Sequence, residues 1–199
     1  MSLHELIFKY HPEYSDIRTY PADKVAGITK TTAPWGILGN FAKAPLTVDG
    51  VTFPTSEHLY HVMKFRDTAA RKDIKGLAGM PMKWAAKKYE GMGLRREDWG
   101  EYIVDAMKYC LVTKYAQCKE FRAELEKTRG LFIIEDETSR MKRRHKPADS
   151  WGAVLSDDGL SYVGPNLLGR LLMELRDNDG KLEYKALPWD MTDFKDLLD

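Results

Sequence analysis

The stretch Phe53-Pro54-Thr55-Ser56-Glu57-His58-Leu59-Tyr60-His61-Val62-Met63-Lys64-Phe65 sets a carboxylate, an imidazole and an amine at helical spacing. Pro54 cannot continue a helix from before it. The hydroxyl of Thr55 or Ser56 can accept hydrogen bonds from the free amides of the next turn, so a helix is expected to start there, with Glu57 in its first turn. At roughly 100° per residue, Glu57, His61 and Lys64 fall on one side with Tyr60 beside them, while Leu59, Val62 and Met63 fall on the other. One face is then set to pack and the other is free to do electrostatic or proton-transfer chemistry. The same spacing also suits a solvated face held by i,i+4 pairs.

Two further stretches carry chemistry-bearing residues. Asp149-Ser150-Trp151-Gly152 places a carboxylate two residues from an indole, which can pair an electrostatic group with a stacking face or simply anchor a loop. Just before it, Ser139 to Pro147 holds five basic residues in nine, Arg140, Lys142, Arg143, Arg144 and Lys146. A loop is expected there, either merely solvated or gripping a nucleic-acid backbone.

The elements that must position these groups can be read from period and punctuation. Residues 1–28 mix aromatics with Pro12 and Pro21 and show no clear period, so an irregular arm with one short strand is expected. Ile28 to Thr32 is β-branched enough for a strand, and the Gly- and Pro-bearing stretch Ala33 to Phe41 reads as a loop. Leu46 to Phe53 alternates around Asp49-Gly50 as a hairpin does. Asp67 can cap a helix ending at Gly76, and Pro81 can open another ending at Gly91. The longest helix is expected from about Glu97 to Gln117, where Trp99, Tyr102, Ile103, Ala106, Met107, Cys110 and Leu111 recur at spacings of three and four. Another runs from Glu120 to Arg129 before the apolar strand Leu131 to Glu135, which sets Glu135 at a strand end. Asn166 then opens a leucine-striped helix up to Arg176. The tail, residues 180–199, can dock on the domain or on a partner. The fold class is α+β and predominantly helical, with a small β component.

Composition narrows the classes. A chain of 199 residues, 43% hydrophobic and 31% charged, fits one soluble domain with a real core. The start of the chain lacks a basic stretch followed by an apolar run, and no window is long enough to span a bilayer, so a cytoplasmic protein with no membrane partner is expected. Cys110 and Cys118 lack zinc-ligand spacing, so neither a disulfide framework nor a structural metal is expected. With 31 basic and 30 acidic residues the net charge is +1, so attraction to nucleic acid must come from a local patch.

Taken together, these segments resemble the NADAR superfamily, also called YbiA-like. The resemblance runs from about Lys30 to Arg176. It rests on Lys30-Thr31-Thr32 followed by Trp35-Gly36-Ile37-Leu38-Gly39-Asn40-Phe41, on Thr55-Ser56-Glu57-His58-Leu59-Tyr60, on Arg95-Arg96-Glu97-Asp98-Trp99 and on Cys110 to Gln117. It continues through Phe132 to Glu135, Asp149-Ser150-Trp151-Gly152, and Asn166 to Arg176. The chain departs from the family where Gly39 replaces a usual Ser, where His61 stands at a position often held by Gln, and in a longer basic stretch before Asp149. The resemblance implies a catalytic domain over residues 29–179 that handles N-glycosidic bonds of ribose or ADP-ribose phosphates. The Lys30-Thr31 and Thr55-Ser56-Glu57 wording looks closer to the branch acting on ADP-ribosylated guanine in DNA than to the branch cleaving phosphorylated riboflavin intermediates.

Under that resemblance, Glu57 and Asp149 are the carboxylates that would meet positive charge developing on the sugar. An amine attacking C1 would form a Schiff base with the opened sugar; Lys30 is the first candidate and Lys64 the second. Phosphates would be met by backbone amides near Gly36 to Asn40 or at the helix start by Asn166. Phe41, Tyr60, Trp99, Glu135, Trp151 and Gly152 complete the substrate-binding set, with no cofactor and no metal. The implied partners are ADP-ribosylated DNA or an ADP-ribose-like small molecule. Such an activity would belong to DNA repair or a toxin–antitoxin system, paired with a DNA ADP-ribosyltransferase. The alternatives are a riboflavin-intermediate glycosidase and a noncatalytic module that binds ADP-ribose or nucleic acid.

Overall fold

A computed structural model describes residues 1–143 and 146–198. In chain order its elements are α1 (Leu3–Tyr10), β1 (Arg18–Pro21), β2 (Val25–Ile28), β3 (Leu46–Val48), β4 (Val51–Phe53), α2 (Ser56–Val62), α3 (Thr68–Gly76), α4 (Met80–Gly91) and α5 (Trp99–Gln117). They continue as α6 (Lys119–Glu126), β5 (Phe132–Glu135), α7 (Thr138–Lys142), β6 (Val154–Leu155), β7 (Ser161–Gly164), α8 (Leu167–Asp177) and α9 (Trp189–Thr192). This is the mostly helical α+β class expected from the periodicities. Contacts divide it into two units, Met1–Gly39 with Lys119–Leu182, and Asn40–Cys118 with Glu183–Asp199.

In the first unit β2 and β5 pair in parallel, Val25 opposite Phe132 and Ile28 opposite Glu135, while β1, β7 and β6 form an antiparallel sheet in that order. The leucine stripe of α8 is buried at Leu167, Leu168, Leu171, Leu172 and Leu175, and the helix packs on β5. A fully buried leucine of this kind contributes roughly 1.5–3 kcal/mol. Asn166 clamps the helix start: its side-chain nitrogen donates to the Ile133 carbonyl (2.9 Å) and its side-chain oxygen accepts from the Glu135 amide (3.1 Å).

Three local expectations are corrected in this unit. Residues 1–28 are not an irregular arm: Ser2 and Glu5 form a reciprocal capping box that starts α1, and two strands follow. The strand expected over Ile28 to Thr32 ends at Ile28, because β5 stops at Glu135 and offers nothing for Thr29 onward to pair with. The basic stretch is not all loop, since Thr138–Lys142 forms a short helix.

In the second unit the Asp49-Gly50 hairpin is present, with φ of 48° and 82° at the two turn residues. Thr55 caps α2 by accepting from the His58 amide, and Asp67 caps α3 by accepting from the Ala70 amide (2.8 Å). The tail docks on its own chain. Phe194 meets Phe53 with ring centroids 4.8 Å apart, and the buried Arg71 guanidinium pairs with Asp196 at 3.0 Å. No described helix is long and apolar enough to cross a membrane.

Candidate active site

Helix α2 has no wet face. Every residue from Ser56 to Val62 is buried, which overturns both the solvated stripe and the expectation of one free face. Asn40 ties the helix mouth down: its carbonyl accepts from the Glu57 amide (3.0 Å), its side-chain oxygen accepts from Ser56 Oγ (3.1 Å), and its side-chain nitrogen donates to Met107 Sδ (3.3 Å). A buried carboxylate needs charged or hydrogen-bonding partners to stay ionised. Glu57 has both, with His61 Nε2 at 3.1 Å and Lys83 Nζ at 3.1 Å from its Oε1. Burial alone pushes this carboxyl up, but the His61 hydrogen bond and the Lys83 charge outweigh it and hold the group well below the usual carboxylate range. Phe41 lies 5.2 Å beneath the Lys83 ammonium.

His61 is the mirror case. Burial and the nearby Lys64 charge lower it from 6.5 to about 4, against the opposing pull of Glu57, so at neutral pH the ring is neutral and its Nε2–H donates to Glu57. Its Nδ1 is buried with no hydrogen-bond partner among the described residues. A base with a lowered folded pKa contributes stability that is complete above its unfolded pKa and lost as pH falls toward the folded one. Glu57, also lowered, starts to contribute its own loss only below its unfolded value of 4.5. Between pH 6.5 and 4.5 the pair's acid sensitivity is therefore that of His61. His61→Gln is expected to flatten the fall in urea midpoint across this window relative to wild type, and identical slopes for the two proteins would refute it.

Lys64, the second candidate amine, lies beyond the end of α2 and does not reach the Glu57 carboxylate as an ion pair. Its ammonium pairs with Glu90 at 3.1 Å and sits 5.3 Å from the Tyr60 ring and 5.7 Å from the Trp99 ring. Burial lowers its pKa, with Glu90 opposing. Trp99 is 3% exposed and packs edge-on against Tyr60 at 5.2 Å, so it works in the core instead of as an open stacking platform.

In the other unit, Lys30 follows the end of β2, is exposed, and makes no ion pair among the described residues. The loop after it folds tightly on itself. A Cβ on Gly36 would sit 2.5 Å from the carbonyl oxygens of both Lys30 and Thr31, so only glycine fits. Gly36→Ala is expected to cost about 1–3 kcal/mol by overpacking, read as a lowered thermal midpoint; an unchanged midpoint would count against this account. The loop is not an open phosphate cradle at Gly36, Leu38 or Gly39, whose amides donate to Ala33, Trp35 and Gly36 carbonyls. Nor is the start of α8, where the Asn166, Leu167 and Leu168 amides donate to Gly152, Ser150 and Trp151.

Asp149 stands in a carboxyl pair. Arg140 bonds Asp149 Oδ2 at 2.7 Å and also contacts Glu137, while the Asp149 amide donates to Glu137 Oε2 at 2.9 Å. Burial and the Asp149 carboxyl push Glu137 above the usual carboxylate range, with the Arg140 charge opposing. Asp149 Oδ1 accepts from the amide of the half-buried Trp151 (2.9 Å). Gly152 is held between the Glu135 carbonyl and the Glu137 side chain, whose Cγ a Cβ would approach to 2.5 Å. The half-buried Glu135 lines the same strand end.

The basic run has these partners among the described residues. Arg140 pairs with Glu137 and Asp149, Arg143 Nε donates to the Ser139 carbonyl (3.0 Å), and Lys142 lies 3.8 Å from Asp157. Lys146 is exposed, and Arg144 lies outside the described residues.

Comparison with known proteins decides the family. The model of the NADAR domain matches residues 28–178. The chain belongs to the NADAR family. N-glycosidase YbiA of Escherichia coli is 33% identical over 156 residues, covering 78% of this chain and 88% of the relative. A riboflavin biosynthesis protein of Vibrio vulnificus is 29% identical over 161 residues, covering 81% of this chain and 39% of that protein. The NMR structure of Escherichia coli YbiA superposes with a TM-score of 0.59 at 33% identity, covering 78% of this chain and 84% of the other. In this NADAR chain the sequence alone missed Lys83, Glu90 and Glu137, whose roles come from tertiary approach. It also missed Lys114, fully buried on α5, whose amine burial lowers to about 7. Full burial of a lysine leaves no mark in a helical periodicity.

Proposed function

We propose that this chain is an N-glycosidase that releases ADP-ribose from ADP-ribosylated guanine in DNA. The observation that carries the glycosidase reading is the ionised Glu57 carboxylate, buried at the mouth of α2 and held in its charged form by His61 and Lys83. Cleaving a bond between ribose C1 and a base nitrogen builds positive charge on the sugar, and a preorganised carboxylate in a dry site stabilises that charge better than water does. Lys30 supplies the nucleophile in this reading. Its amine bonds to C1 as the C1–N bond breaks, and the proton shed by the amine ends on the base nitrogen. Ring opening then gives an imine between Nζ and C1, which water hydrolyses to free ADP-ribose and the restored amine.

The guanine-DNA substrate is supported by the Lys30-Thr31 and Thr55-Ser56-Glu57 wording, and the activity would then reverse the work of a DNA ADP-ribosyltransferase. A second reading has its own support: relatives such as the Vibrio vulnificus protein are named for riboflavin biosynthesis, and a phosphorylated intermediate of that kind also carries a C1–N bond. Incubation with an ADP-ribosylated oligonucleotide and, separately, with a phosphorylated riboflavin intermediate decides between them. Free ADP-ribose from the first alone supports the DNA reading. Turnover of the second alone overturns it.

A further inference from the structure

Helix α4 presents an exposed indole between lysines. At roughly 100° per residue, Met80, Trp84, Lys87, Lys88 and Gly91 share one arc of its surface, while Met82, Ala85 and Ala86 are buried on the opposite side. Trp84 is 64% exposed and Met80 51% exposed, in a helix whose other large apolar residue, Met82, is fully buried. A large indole left in water on a helix face is unusual enough to ask what covers it.

The charges around it narrow the answer. No acidic residue stands on that arc, and neither Lys87 nor Lys88 forms an ion pair among the described residues; Lys88 rests 5.5 Å from the Tyr89 ring. The acid of this helix, Glu90, lies at the margin and is taken by Lys64. The same margin carries Lys83, whose ammonium is on the Glu57 carboxylate. The open face therefore joins one stacking surface to two cations, one turn away, that no acid neutralises. It belongs to the helix that holds the candidate catalytic carboxylate in its charged form.

We propose that this face of α4 is a docking surface for single-stranded nucleic acid, with a base stacked on Trp84 and backbone phosphates met by Lys87 and Lys88. Stacking on an aromatic ring is tolerant of sequence, and lysines on the same side neutralise the phosphates that a base brings with it. An apolar partner would gain nothing from two ammonium groups without counter-charges. The basic run between Arg140 and Lys146, the more obvious stretch in the sequence, is the weaker candidate because Arg140 is already paired with two carboxyls and Lys142 lies near a third. In functional terms the inference rests on the nucleic-acid substrate proposed above, since it supplies the strand that flanks the modified guanine.

The test is fluorescence anisotropy of a fluorescein-labelled, unmodified single strand of about 15 nucleotides, a length within the range of known single-strand sites, measured over a salt series with the full chain. Trp84→Ala is expected to weaken binding about tenfold, within the range for loss of one stacked base. Lys87→Gln with Lys88→Gln is expected to reduce the slope of log K against log salt by about 1.4, or roughly 0.7 per phosphate released. All three side chains are exposed, and circular dichroism of the variants checks that the fold is kept. Binding and slope unchanged in both variants would overturn the surface, as would loss confined to a Lys142→Gln, Lys146→Gln control or tighter binding of the wild type to phosphatidylserine vesicles. The unmodified strand separates this inference from the substrate reading. Binding that depends on Trp84 without release of ADP-ribose from a modified strand would sustain the surface and sink the substrate. Release with the same KM in wild type and Trp84→Ala would do the reverse.

Discussion

Glu57→Gln is expected to lower single-turnover release of ADP-ribose by about 10²–10³, the usual loss when one preorganised electrostatic group is removed from a site. The substitution is nearly isosteric. The amide oxygen it introduces can still accept from His61 Nε2, and Lys83, whose side chain is 39% exposed, can hydrate its charge when the carboxylate is gone. The fold should therefore persist, and the loss would be one of charge alone. Affinity for substrate should change little, which separates an enzyme from a module that only binds. A variant within about threefold of wild-type turnover would remove Glu57 from the reaction and leave its pairings as architecture.

Lys30→Ala is expected to abolish turnover, by at least about 10³-fold, and to abolish a borohydride-trapped adduct whose mass is that of the opened sugar attached to the protein. The trap is the sharper readout, because it names the amine by peptide mass. An adduct on Lys64 instead would favour the amine that is caged by Tyr60 and Trp99 and paired with Glu90. One on Lys114 would favour the buried amine of α5. Full turnover by Lys30→Ala, with the adduct unchanged, would end the proposal for Lys30.

The elements that were legible in the sequence are those with local signals strong enough to decide the backbone. Asp49-Gly50 dictates a tight hairpin, Thr55 and Asp67 cap their helices, and the spacing of leucines along α8 marks the buried side. Expectations failed where a distant partner decides. Thr29 to Thr32 have β-branched residues but no strand to pair with, so propensity overstated β2. Helix α2 reads as two-faced, yet the polar side is buried as the apolar one is, because Asn40 and Lys83 arrive from elsewhere in the chain to satisfy it. The amides assigned to phosphates at Asn166 illustrate the same limit: a helix start offers free donors only until a neighbouring loop takes them.

The sealing of α2 has a consequence for the conditions under which this protein can work. Mobile ions weaken a field only where they can approach its source, and the Glu57 side chain is only 9% exposed on a buried helix. Its hold on a developing cation is therefore set mainly by the fold and weakens less with added electrolyte than that of an exposed charge would.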